Sequence, residues 1–205
     1  MPVLDDTNFF VFPERGGITR DYVPFHNHRM PGATDENLLQ NSVTMTTTAH
    51  IKGNQVLVEV SITNDKTGHH VPTDAPMRHL ILVVQAVDAN GKRLTLGAGP
   101  VLPDWSGNYA GQPGQAYAKI LRDEWTGESP TAAYWRPVSI VADTRLAAFA
   151  TDTSRYTFAA PANGAVTVEA RLIFRRAFQQ LAEQKGWTDP DIVMEEETVV
   201  VPAAQ

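Results

Sequence analysis

Gln55-Val56-Leu57-Val58-Glu59-Val60-Ser61-Ile62 decides the fold class. Val56, Val58, Val60 and Ile62 fall on one face of an extended chain, and the largely polar set Gln55, Glu59 and Ser61 falls on the other. A period of two built on β-branched residues marks a half-buried antiparallel strand. Downstream, Leu80 to Val87 is apolar on both faces and reads as a central strand. Asp88-Ala89-Asn90-Gly91 then supplies a hairpin turn, because Asn and Gly tolerate positive φ. The spacing predicts a returning strand over Lys92 to Leu96 and further strands at Tyr117–Leu121, Val138–Val141, Arg155–Phe158, Val166–Arg175 and Thr198–Val201. Val166, Val168, Ala170, Leu172 and Phe174 share a face, after the turn Asn163-Gly164. One helix is expected over Ala177 to Lys185, with Phe178, Leu181 and Ala182 on one side and Gly186 as its stop.

Short strands separated by turn signals imply an all-β fold, an antiparallel β-sandwich of immunoglobulin-like type with one short C-terminal helix. Upstream, residues 1–40 carry much punctuation (Pro13, Gly16-Gly17, Pro24, Pro31-Gly32) and read as an extended N-terminal arm, with a helical turn at Thr34 to Gln40 capped by Thr34. Residues 41–205 form the sandwich domain. Between 97 and 135 the chain is rich in Gly, Pro, Trp and Tyr and reads as long loops, which are usually functional or interface-forming.

A chain of 205 residues, 42% hydrophobic and 20% charged, has the composition of a globular protein. Its net charge of −6 comes without a basic block; Arg175-Arg176 and Lys92-Arg93 are isolated doublets that read as solvated strand ends, so no nucleic-acid role is expected. The longest apolar run, Leu80 to Val84, is far below the ~20 residues of a membrane span. Met1-Pro2-Val3-Leu4-Asp5-Asp6 lacks the basic and apolar regions of a signal peptide, which fits either a cytosolic protein or a mature or excised piece of a larger one. The absence of cysteine excludes disulfides, thiol catalysis and cysteine-bound zinc.

The chemistry concentrates in the histidines, of which there are six. Gly68-His69-His70-Val71-Pro72-Thr73-Asp74 puts two imidazoles at a rigid corner just after the deciding strand. Neighbouring side chains in an extended chain point to opposite faces, so one ring is the candidate ligand and the other a packing residue. His26 and His28 are two apart and share a face if extended, which suits chelation of one metal. His50 and His79 lie on strands and read as structural. Asn64-Asp65 with Asp74, and Glu195-Glu196-Glu197, offer oxygen ligands for calcium without EF-hand spacing. Ser61, Ser106 and Ser139 have no nucleophile-elbow context, and Asp143-Thr144-Arg145 reads as an ion-paired strand entry, so no bond-making catalysis is expected.

These segments together resemble the C-terminal β domain of multihaem c-type cytochromes. Thr63-Asn64 followed by Gly68-His69-His70-Val71-Pro72-Thr73 is similar to that family's VTN…GHxxPTG pattern, with Asp74 standing where the family has Gly. Pro76-Met77-Arg78 resembles its PxR continuation, His28-Arg29-Met30-Pro31-Gly32-Ala33 its HRFPGA segment, and Asp143-Thr144-Arg145-Leu146 its DTRL. Leu172 to Phe178 resembles the LxYRRxF junction, and Met1-Pro2 the residues that follow a CxxCH haem site. The resemblance implies a non-catalytic electron-transfer domain, periplasmic or extracellular, that packs against haems and supplies distal imidazoles. Without cysteine the chain cannot attach haem c itself, so the haem-bearing segment or subunit would be the partner, alongside redox partner proteins, and residues 1–40 would continue that segment. His28 and His69 match the family motifs and are the expected axial ligands of haem iron; His26 and His70 are the reserves. The resemblance makes the aromatic loops (Trp105, Tyr109, Tyr117, Trp125, Tyr134, Trp135) the expected contact surface. Two rival readings remain open: a redox protein with copper or zinc on His26, His28 and His69, and a carbohydrate- or protein-binding module using the aromatic loops.

Overall fold

The computed structural model describes residues 3–7, 13–18, 23–26, 32–73 and 75–203. It divides into two compact units, Met1–Gly32 and Ala33–Gln205. In the first, β1 (Val3–Thr7) pairs antiparallel with β2 (Val23–His26), with His26 opposite Val3, and Pro13–Arg15 forms a 3-10 turn. His28 and Asp74 lie outside the described residues.

The second unit is an all-β sandwich of two antiparallel sheets. One has the order β11 (Ile192–Val201), β10 (Val166–Arg175), β5 (His79–Asp88), β7 (Gly114–Asp123), β8 (Val138–Asp143). The other runs β3 (Thr44–Lys52), β4 (Gln55–Thr63), β9 (Thr151–Ala159), β6 (Leu96–Ala98). The alternation of β4 is realised: Val56, Val58, Val60 and Ile62 are buried between the sheets. They meet Leu80, Leu82, Val84 and Ala86 of β5 and Val166, Val168, Ala170, Leu172 and Phe174 of β10. Each Val, Leu, Ile or Phe of this set taken fully out of water contributes about 1.5–3 kcal/mol before chain entropy is subtracted.

A strand that is apolar on both faces needs a cover on both. The second face of β5 carries His79, Ile81 and Val83, and an outer layer covers it. Ile81 and Val83 pack with Leu102, Ala116 and Ile173, against Trp105 and Tyr109. Beside them Phe178 packs with Ala118 and Ile120 of β7, against Met77, Trp105 and Leu181. The 3-10 helix Asp104–Tyr109 and α2 (Gln179–Lys185) carry this layer. Gly186 stops α2 at φ +67°, the left-handed conformation that suits glycine at a helix end.

Several expected bounds move. Asp35, not Thr34, caps α1 (Glu36–Gln40), accepting from the Leu38 N–H at 2.8 Å. The return strand over Lys92–Leu96 starts as a hairpin, with the Leu94 N–H donating to the Ala86 carbonyl at 2.8 Å. It then crosses to the other sheet, where Leu96 pairs with Phe158. β7 spans ten residues, Gly114–Asp123, where only Tyr117–Leu121 was expected as strand. β11 begins at Ile192 rather than at the expected Thr198, so Glu195, Glu196 and Glu197 lie within a strand.

Candidate functional site

Asn64 follows the last residue of β4 and is fully buried, although it is an amide. Its Nδ2 donates to the carbonyls of His69 at 2.7 Å and Leu146 at 3.1 Å, and its Oδ1 accepts from the Thr67 hydroxyl at 2.6 Å. Its backbone is held too: the Asn64 N–H donates to the Ala150 carbonyl at 3.0 Å, and its carbonyl accepts from Phe149 at 2.8 Å. The Thr67 hydroxyl also reaches the His69 carbonyl at 3.0 Å. A reciprocal bridge between Val71 and Leu146, 2.9 Å each way, closes the corner. The turn bearing the two imidazoles is therefore pinned from below by a satisfied polar network, which fixes its backbone.

On this turn both His69 and His70 are exposed. His69 Nδ1 lies 2.9 Å from the His70 carbonyl oxygen. A carbonyl only accepts, so Nδ1 carries the proton in this contact, and in the tautomer that makes it with a neutral ring the lone pair sits on Nε2. That is the arrangement in which a backbone acceptor orients an imidazole for ligation through the other nitrogen. His70 has a different neighbour. Asp143 is held below the usual carboxylate range, first by hydrogen bonding from Arg145, against the opposing effect of burial, and also by the charge of His70. Arg145 grips Asp143 through Nε at 2.8 Å and Nη2 at 2.7 Å. The ion pair expected of Asp143-Thr144-Arg145 forms, but at the exit of β8 rather than at a strand entry, and the Thr144 hydroxyl accepts from the Ala118 N–H at 3.0 Å and donates to the Ala116 carbonyl at 2.9 Å. The segments that resembled GHxxPTG and DTRL are thus one structure.

His26 ends β2, where only its backbone is described, and His28 lies outside the described residues, so the copper or zinc set His26, His28 and His69 lies outside what the structure describes. No group of three or more metal-ligating side chains occurs among the described residues. Calcium finds no support either. Asn64 has spent its amide, Asp65 accepts from the Thr44 hydroxyl at 2.8 Å, and Glu195 is pushed up mainly by burial. His50 sits exposed on β3.

His79 lies on β5 in the outer layer, fully buried. Its ring stacks on Phe178 (4.9 Å, 15°) and meets the Trp105 ring edge-on (5.5 Å, 87°). Nδ1 donates to the Met77 carbonyl at 3.0 Å, while Nε2 has no protein partner. Burial above all pulls its pKa down to about 4, so the ring is neutral near pH 7.

Opposite His79 stands Arg175, which the sequence reading placed at a solvated strand end. It is instead a clamp, only 11% exposed. It reaches both oxygens of Asp191 (2.8 and 2.7 Å), the Ser106 carbonyl (2.9 Å) and Asn108 Oδ1 (2.6 Å), and it lies over the Tyr109 ring. Arg176 pairs with Asp189 at 2.7 Å over Trp187. The junction that resembled LxYRRxF is a structural rivet. A cleft of about 1120 Å³ opens beside it, lined by Trp105, Trp135, Arg136, Phe178 and Gln179 among others. Its central polar groups are already committed, Arg136 to Asp123 and Gln179 to the Asn108 N–H and Glu183. Of the aromatic set, Tyr117 is core rather than contact surface, its hydroxyl donating to Asp152 at 2.8 Å; Trp125, Tyr134 and Trp135 are exposed.

No family model matches the chain, and no curated protein matches it. No helix among the described residues is long and apolar enough to cross a membrane. An ASH / PapD-like domain of human CEP192 superposes with a TM-score of 0.30 at 6% identity over 87% of this chain and 95% of that one, too low to bear on the fold. A penta-haem cytochrome c552 from Thermochromatium tepidum superposes with a TM-score of 0.67 at 24% identity, over 86% of this chain. The chain spans 44% of the length of that cytochrome and shares its fold over that part.

Proposed function

We propose that this chain is a non-catalytic β domain of an extracytoplasmic multihaem c-type cytochrome in electron transfer. In this reading it packs on a haem-bearing polypeptide and offers His69 as a distal ligand. The observation that carries the reading is the His69 ring: exposed, with Nδ1–H turned back to the His70 carbonyl, on a turn pinned by buried Asn64. The residues present fit a sixth-ligand role, because an axial imidazole needs a free Nε2 lone pair and a fixed ring plane. When bound, haem c supplies one-electron transfer. The chain supplies the rest: His69 the donor nitrogen, Asn64 and Thr67 the backbone position of that ring, and the Val71–Leu146 bridge the rigidity that keeps it there. His28 is the companion candidate, with His26 and His70 in reserve. The superposition on part of a penta-haem cytochrome supports such a partner, and a cysteine-free chain needs one to carry the haem.

The test is a titration of the purified chain with a ferric haem c peptide whose only ligand is the CxxCH histidine. Conversion to the low-spin Soret spectrum is expected, with affinity at least tenfold weaker in His69→Ala and nearly unchanged in His70→Ala and His50→Ala. His28→Ala assays the companion position. An unchanged titration in His69→Ala removes that residue from the ligand set.

A further inference from the structure

Phe149 stands apart among the described residues: it is the one non-glycine residue with positive φ, +62°, and it is 77% exposed. The Ala150 N–H donates to the Ala147 carbonyl at 3.1 Å, which closes a turn over Ala147–Ala150, and of its two central residues only Phe149 has positive φ. That is the pattern of a type II turn, whose third position calls for Gly or Asn. The turn joins β9 through a bulge. The Phe149 N–H donates to the Asn64 carbonyl at 2.8 Å and the Asn64 N–H donates to the Ala150 carbonyl at 3.0 Å, so two residues oppose one just beyond the Thr63–Thr151 pair. The first residue of such a bulge, when left-handed, is ordinarily Gly. Turn and bulge both ask for glycine at 149, and the sequence has phenylalanine.

The folded chain gives little in return. A Cβ in the left-handed region meets the carbonyl oxygen that follows it, and a ring so exposed removes little apolar surface from water. A strained, exposed aromatic side chain of this kind points to a contact outside the fold. Its place in the structure names that contact. Asn64, whose backbone carries the bulge, also donates from its side chain to the His69 carbonyl at 2.7 Å. One buried residue therefore anchors both the exposed phenyl and the exposed imidazole, and a group that ligates His69 arrives beside the Phe149 turn. The chemistry of the segment agrees. Leu146-Ala147-Ala148-Phe149-Ala150 has no polar side chain, so it offers a partner small apolar surface and one aromatic ring, with neither charge nor side-chain hydrogen bond. A porphyrin matches that surface, being flat, apolar and aromatic, and aromatic rings pack well offset-stacked or edge to face. We infer that Phe149 is a haem contact: its ring packs against the porphyrin whose iron takes His69. This deepens the proposed function and rests on it for the identity of the haem.

Backbone and ring act with opposite signs at this position. Phe149→Gly removes the strain and the ring together, so its urea midpoint should lie above the parent's while its affinity for the ferric haem c peptide falls about fivefold, the scale of one aromatic contact. Phe149→Ala keeps the strain and loses the ring: the same affinity should be lost with no gain in midpoint. Phe149→Tyr should keep the parent affinity. In the ferrous low-spin complex the Phe149 ring protons, assigned by their absence in Phe149→Gly, should carry a porphyrin ring-current shift, which a merely structural residue would not show. A Phe149→Gly titration equal to the parent's, with no ring-current shift on Phe149, overturns the contact, and low-spin conversion in both chains then leaves His69 ligation standing. Phe149-dependent binding with a ring-current shift but no low-spin conversion has the opposite meaning: the porphyrin contact holds and the ligand assignment fails. A parent chain that does not bind the peptide overturns both. Ultracentrifugation supplies the last arm, where a parent dimer that Phe149→Gly turns into a monomer would assign the ring to a second copy and overturn the proposal.

Discussion

Asn64 shows how one residue can carry a functional turn. Its side chain is buried with both donors and its acceptor in use, so what replaces it matters more than its removal. Asn64→Ala strips the Thr67 hydroxyl of one acceptor and two carbonyls of a donor, though each carbonyl keeps a second partner. A cost of about 1–3 kcal/mol follows from losing buried hydrogen bonds. Asn64→Asp is expected to be worse despite its near-identical shape, because a carboxylate would face the His69 and Leu146 carbonyl oxygens without a proton to offer, in a site without water access. Urea midpoints at pH 7 should rank parent above Ala above Asp, and an Asp variant as stable as the parent would show that the amide does not face those carbonyls. The haem c peptide affinity should fall in both variants, since the His69 backbone loses its anchor.

At the scale of elements, local patterns were legible and non-local choices were not. The alternation of Gln55–Ile62 and the two-faced apolar run of Leu80–Val87 read correctly as a half-buried and a central strand, because burial on one face or two is written directly into the period. Leu94 and Leu96 misled: they follow a proper hairpin turn, but packing against the core between the sheets draws the chain away from β5 towards β9. Gly114 and Gln115 hid the start of β7, of which only Tyr117–Leu121 was legible, and the pairing with β5 reveals that start. The Glu195–Glu197 run interrupts the apolar pattern of β11, an edge strand, so only Thr198–Val201 was legible as strand. In the site, the Gly-His-His corner was visible from residue types alone. Its tie to Leu146, 82 positions from Asn64, was not, nor was Arg175 as a clamp, since its four partners lie in other elements. Gly114 provides the test at this scale. A Cβ there would stand 2.0 Å from the Leu82 carbonyl oxygen and 3.0 Å from Leu102, so neither strand can relax without losing the β5–β7 ladder. Gly114→Ala should destabilise by about 1–3 kcal/mol or more, read as a lower urea midpoint with an unchanged slope. A variant within a few tenths of the parent would mean the two strands are free to separate there.

For the molecule as a whole, His79 in the outer layer and the core phenols Tyr117 and Tyr156 shape the response to pH. His79 titrates at about 6.5 in the unfolded chain and about 4 when folded, with burial dominant, Arg175 lowering it further, and the Met77 carbonyl and Asp191 opposing. Between pH 6.5 and 4 the unfolded state therefore binds a proton that the folded state refuses, and stability falls as pH falls, by roughly 3 kcal/mol in all. At the alkaline end the sign reverses. Burial first, with Asp152 as hydrogen-bond partner, raises Tyr117, and burial pushes Tyr156 up to about 12. Stability from the two phenols is then full below pH 10 and is lost as pH climbs towards their folded values. His79→Phe keeps an aromatic ring between Trp105 and Phe178, forfeits the bond to Met77 and removes the titration. Its melting temperature should lie below the parent's at pH 8, and the gap should close as pH drops to 4.5, because only the parent carries the imidazole penalty. Parallel melting curves across that range would show that His79 gains its proton in the folded state as readily as in the unfolded one, and would place the acid sensitivity in the carboxylates instead.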